Sequence, residues 1–207
     1  MVRKVLRVVF ATLSLAIGLY PVIYFTIDRQ FGLLASKPME ILTNVFWNIG
    51  FYTHIIFGGL ALLIGWIQFS PGFRNKNPIL HKKTGKVYVT SVLLSSVAGI
   101  GIGFFATGGL WSSLGFICLG VIWFYTTLMG YTTIRKRQVE VHQKFMVYSY
   151  AACFAAVTLR IWLPLLIVIH GEFMVAYTIV AWLSWVPNLL VANLIARRIK
   201  PMQTVVR

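Results

Sequence analysis

The sequence predicts an all-α integral membrane protein: a bundle of six transmembrane helices with both termini in the cytoplasm. Three observations predict it. The chain is 58% hydrophobic and 11% charged, where a soluble domain carries about 25% charged residues and about 45–50% apolar ones. Its mean hydropathy of +0.80 means more apolar surface than a core of this size can hide from water. Finally, the apolar residues fall into six stretches, each near the ~20 residues that a helix needs to cross a bilayer. One transmembrane domain over residues 1–207 accounts for the whole length.

The first stretch, 8–27, follows Arg3 and Lys4 as the apolar part of a signal peptide does. It is too long for one and lacks a small-residue cleavage site, so it reads as a retained helix. The second, 46–69, carries Gly50, His54, Gly58, Ala61, Gly65 and Gln68 within about 80° of one another at 100° per residue. Small and polar residues on one stripe face protein, because they let backbones approach, so His54 points into the bundle. The third stretch, 87–106, has Ser95, Gly99 and Gly103 at every fourth position. Extended back through its basic flank, it puts His81, Gly85 and Tyr88 on the same face; helix packing explains the glycines. The fourth, 110–133, offers no histidine. The fifth, 145–169, continues a stripe of His142, Met146, Ser149, Cys153, Ala156, Arg160 and Pro164. The sixth is 173–195. Pro21, Pro164 and Pro187 are tolerated inside membrane helices, and the alternating short segments of a barrel are absent.

Charge gives the direction. The net charge is +15, from 19 Lys and Arg against 4 Asp and Glu. In a soluble protein that balance points to nucleic acid; here its placement points elsewhere. Arg3, Lys4 and Arg7 lie at the N-terminus. Arg74, Lys76, Lys82, Lys83 and Lys86 lie between the second and third stretches, and Arg135, Lys136, Arg137 and Lys144 between the fourth and fifth. Arg197, Arg198, Lys200 and Arg207 follow the sixth. The other side holds Arg29 and Lys37. The positive-inside rule places the rich side, with both termini, in the cytoplasm. This fits a multi-pass protein of the cell membrane whose basic rim rests on anionic lipid heads; nucleic acid is not a partner.

Arg160 lies inside a stretch, where a central arginine costs ~2.5–3.5 kcal/mol on insertion scales. It sits five helical turns, ~27 Å, from His142, and ~14 Å from the outer end of its helix. His54 lies ~10 Å below the same surface. The two line one polar cavity on this reading, with His170 and Glu172 of the last outer loop as candidates to close it. The plainer alternative is a structural arginine bonded to carbonyls freed by Pro164. No dinucleotide fingerprint, phosphate loop, nucleophile elbow or metal-binding cluster occurs. Cys118 and Cys153 read as packing residues. No buried acidic pair offers acid–base chemistry. Trp47, Tyr52, Trp111 and Trp185 read as interfacial belt residues.

These segments together resemble an uncharacterised bacterial polytopic membrane-protein family, domain of unknown function 2306. The resemblance runs from about residue 46 to 170. It is carried by His54 with Gly58, Gly59, Ala61, Leu62, Gly65, Gln68 and Phe69, then by His81 with Thr84-Gly85-Lys86-Val87-Tyr88. Further on it is carried by His142 with Phe145-Met146 and Ser149-Tyr150-Ala151, and by Thr158-Leu159-Arg160 with Trp162 and Pro164. It implies a multi-helix membrane fold and supplies no activity. A looser similarity is to six-helix haem b cytochromes, which hold haem between histidines of different helices. There His81 and His142 are the candidate ligands and Lys83, Lys86 and Lys144 the partners of the propionates. The pattern departs from that family in lacking a histidine on the fourth helix.

Three functions stand open at this stage, and no catalytic residue is identified for any of them. The first is binding or transport of a polar or anionic small molecule, a lipid or a quinone around Arg160 and His54, with Gln68 and Ser149 as further ligand-binding candidates. The second is electron transfer through one haem b between His81 and His142. The third is a non-catalytic membrane assembly or interaction partner.

Overall fold

A computed structural model describes residues 2–27 and 32–199; Arg29, Lys200 and Arg207 lie outside the described residues. Every regular element among them is helical. Six helical spans are long and apolar enough to cross a membrane: Val8–Thr26, Val45–Phe69, Pro78–Gly103, Gly109–Arg135, Val139–His170 and Phe173–Arg197. Large apolar side chains stay on the outside, among them Phe46, Leu110, Val168 and Ile169. A water-soluble monomer does not expose such a belt; lipid is its solvent. The chain is a polytopic membrane protein.

Local chemistry sets where spans begin and bend. Asn44 starts the second span, its side chain accepting from the Trp47 N–H at 3.0 Å. Pro78 occupies the first turn of the third, where its missing N–H costs nothing. That helix therefore begins nine residues before its apolar stretch, and His81 lies inside it. The fifth span likewise starts at Val139 and includes His142. Hydropathy marks the apolar middle of a helix and is blind to a charged extension beyond the bilayer. Gly108 and Gly109, at φ 90° and 74°, turn the chain between the third and fourth spans in a conformation that glycine alone adopts without strain.

The last two spans are broken near their middles. The fifth divides into Val139–Cys153 and Ala155–His170, and the sixth into Phe173–Leu183 and Val186–Arg197. The breaks face each other. Asn188 Nδ2 donates to the Thr158 hydroxyl at 3.1 Å and to the Ala151 carbonyl at 3.3 Å. Thr158 Oγ1 in turn donates to the Ser184 carbonyl. Backbone groups freed by the breaks thus find partners inside protein, as a membrane interior demands.

The second and third spans form the most extensive pairing, through the glycine stripe. A Cβ at Gly65 would lie 2.8 Å from the Tyr88 ring, and one at Gly58 3.0 Å from Ser95 Oγ. The main core is a layer across the bundle built on Leu62, Tyr88, Val92, Tyr150 and Val157. Within it Tyr88 Oη, Ser149 Oγ and Thr127 Oγ1 form a buried hydrogen-bonded chain, with links of 2.8 and 2.6 Å.

Candidate functional site

That layer separates two cavities. Along the second span His54 and Gly58 line one cavity, then come Ala61 and Leu62, then Gly65 and Gln68 line the other. The same order holds on the fifth span, from Arg160 and Ala156 through Ser149 to Met146 and His142. One cavity therefore belongs to the half of the bundle near Lys37. The other opens among the basic connections.

The first cavity has a volume of about 240 Å³. His54 stands nine residues from the start of its span and Arg160 ten from the end of its own. That is ~14 and ~15 Å of helix, close to the middle of a hydrocarbon core about 30 Å thick. The His54 ring packs flat against Gly99, where a Cβ would come within 2.8 Å of it. Its Nδ1 lies 2.9 Å from the Ser95 carbonyl. A carbonyl only accepts, so Nδ1 carries the proton and Nε2 keeps a lone pair in the neutral ring. Ser95 Oγ donates to the His54 carbonyl at 2.8 Å, which locks the two helices at this level.

Arg160 is half-buried. Its guanidinium carbon lies 4.2 Å from the centre of the Tyr20 ring, and its Nη1 donates to the Ala156 carbonyl at 2.9 Å. That carbonyl is one turn back on its own helix; the one freed by Pro164 is the carbonyl of Arg160 itself. A guanidinium has five N–H donors. No carboxylate pairs with Arg160 among the described residues. A cation–π contact contributes about 0.5–2 kcal/mol and a hydrogen bond with a charged partner about 1.5–3. These offset the burial of the charge.

The rest of the wall is aromatic and small: Tyr24, Phe51, Trp123 and Tyr177 with Gly58, Gly99 and Ala156. Trp47 belongs to it as well, buried and with an Nε1–H that makes no hydrogen bond. Lys37 reaches over the cavity and donates to the Phe105 carbonyl. Burial holds its ammonium below the ordinary lysine pKa.

Several expectations change. His170 and Glu172 are exposed and outside the cavity. Leu33, Leu34 and Lys37 cover it instead, because the helical turn Gly32–Ser36 folds inward on a buried Leu34. Trp47 and Trp185 are not belt residues: both are buried, and the Trp185 indole N–H donates to the Ala181 carbonyl at 2.8 Å. Trp111 remains exposed and packs at a tilt against Trp182 with centroids 5.2 Å apart. The structure brings His54 and Arg160 together but places Gln68 in the second cavity and Ser149 in the sealed layer between. Lys37, Tyr24 and Trp47 escaped the reading of the sequence. Lys37 had a usable signal, being one of few cations on the poor side.

The second cavity, of about 520 Å³, contains both His81 and His142. His142 Nδ1 donates to the Gly130 carbonyl at 2.7 Å, which turns its Nε2 away from that helix. Of the lysines considered for propionates, Lys86 lines this cavity, Lys83 does not, and Lys144 pairs with Glu140.

Compared with known proteins, residues 51–196 match the family model described as "Predicted membrane protein (DUF2306)". The chain belongs to the DUF2306 family. No curated protein and no solved structure matches it. The matched region of this DUF2306 protein takes in His54, His81, His142 and Arg160, and both helix breaks.

Proposed function

We propose that this DUF2306 protein binds a small, flat, hydrogen-bond-accepting molecule in the intramembrane cavity around Arg160 and His54. The observation that carries the reading is a half-buried guanidinium without a carboxylate partner among the described residues, on an aromatic-walled cavity about midway along its spans. The Trp47 indole N–H is an unpaired donor. Arg160 also follows a helix break, so the half-helix Ala155–His170 begins at the cavity wall and directs the positive end of its dipole there. Broken spans around a midplane site are a feature of membrane carriers. Two ligand classes suit this chemistry: a quinone or quinol head, whose oxygens accept from Arg160 and whose hydroxyl, in the quinol, donates a hydrogen bond to His54 Nε2, and an aromatic carboxylate. We place the basic face in the cytoplasm of the cell membrane by the positive-inside rule; a C-terminal reporter active only outside the cytoplasm contradicts that if it gives signal.

Thermal unfolding in an uncharged detergent tests the site with benzoate and a short-chain benzoquinone as probes. A ligand that binds the folded state alone stabilises by about 2.7 kcal/mol at a hundred times its Kd. The wild type should rise in Tm with at least one probe, and Arg160→Leu should fold without responding. No response in the wild type, or an equal response in Arg160→Leu, contradicts the proposal.

A further inference from the structure

The second cavity holds a different excess. Arg74, Lys82, Lys86 and Arg135 come to it from three elements: the short helix Pro71–Lys76, the start of the third span and the end of the fourth. None of the four forms an ion pair among the described residues. The acids among the described residues supply none. Glu140 is taken by Lys144, and Glu40 and Glu172 belong to the opposite face. Like charges gathered around one space repel, and a counter-charge that enters relieves the repulsion.

Two residues of the same lining carry further polar atoms. His81 Nδ1 and Gln68 Oε1 are buried and have no hydrogen-bond partner. The Gln68 amide is fixed, because its Nε2 donates to Thr84 Oγ1 at 2.6 Å while that hydroxyl donates to the Leu80 carbonyl at 2.8 Å. Its carbonyl oxygen is thus left as an acceptor, for a hydroxyl. Deeper in, the wall turns apolar with Phe69, Val89, Met146 and Val147.

We infer that this cavity is a binding site for a phosphate group, with Arg74, Lys82, Lys86 and Arg135 around the phosphate and Gln68 Oε1 accepting from a hydroxyl beside it. A hydroxylated phosphate ester has the matching chemistry, whether soluble or the head of a lipid whose chains meet the apolar wall. The site stands apart from the cavity of Arg160, and either can fail without the other.

Isothermal titration calorimetry at fixed ionic strength tests it with purified protein. The probes are glycerol phosphate, for a soluble source, and short-chain phosphatidylglycerol in uncharged detergent, for a lipid source. Saturable binding of either supports the site and names its source. The double variant Arg74→Gln, Lys86→Gln should bind at least tenfold more weakly. Neither side chain makes a hydrogen bond among the described residues, so the variant should fold; an unchanged elution volume and Tm check this. Lys83→Gln removes a neighbouring cation that does not line the cavity and should bind as the wild type does. Gln68→Leu should weaken the hydroxylated esters and leave inorganic phosphate unaffected. Binding of neither probe overturns the inference. So does equal weakening by Lys83→Gln, which makes the effect a property of the whole basic rim. A Soret band in the wild type that His142→Ala removes also overturns it, since the cavity then holds haem.

Discussion

Arg160 shows how a costly residue is kept in a membrane. Its charge rests on one aromatic face and one carbonyl, and the stem runs along a helix that also contains a break. Lys37 is the second cation of that cavity, and its burial makes a separate prediction. Its pKa lies below the ordinary lysine value of 10.5 when folded, so between the folded and unfolded values the unfolded chain holds the proton more tightly. The contribution to stability is full above the unfolded value and is lost as pH falls through the folded one. The Tm of the wild type should therefore gain on that of Lys37→Met as pH rises from neutral towards 10.5. Parallel Tm curves for the two proteins contradict this. The stripe on the fifth helix singled out Arg160 from sequence alone. Ser149 shares that stripe but lies half-way between the cavities, because the stripe runs the length of the helix and the cavities do not.

Among the helices, the glycine stripe is the most exposed to test. Gly65→Ala forces a Cβ to within 2.3 Å of Tyr150 and 2.8 Å of Tyr88, both fixed in the core. It should destabilise by about 1–3 kcal/mol, as overpacking does. Gly101→Ala is the control on the neighbouring helix, with nothing within 4 Å of the new Cβ, and should stay within about 0.5 kcal/mol. Chemical or thermal unfolding in detergent compares them, and equal losses contradict the packing assigned to the stripe. This stripe was legible because small residues recur at helical spacing. The helix breaks were not. No proline accounts for the break at Phe154, whose surroundings are held by Thr158, Ser184 and Asn188 from two helices. A tertiary contact of that kind has no local signature. Pro187 does mark the break in the sixth span, by following it at the second position of the new helix.

At the scale of the whole molecule, solvent decides the arrangement. Apolar side chains face outward to lipid, small ones let the spans close on one another, and His54, His81, His142 and Arg160 line two cavities on either side of a packed layer. Composition and charge placement were enough to read the six spans. Which polar residues share a cavity depends on the rotation and height of six helices, and single-helix periodicity fixes only the rotation. His54 and Arg160 could be paired from sequence because both lie at mid-depth on inward stripes. The covering turn Gly32–Ser36 could not be anticipated, since its residues lie in a connection and carry no helical period. The most direct test is thiol accessibility in membranes, in a Cys118→Ala, Cys153→Ala background. Cysteine placed at Arg160 should react with a small anionic methanethiosulfonate. Cysteine at Ile161, whose side chain faces outward, should stay unreactive in lipid. Reaction at position 161 with none at 160 would show that Arg160 faces the acyl chains and that no inner cavity is built around it.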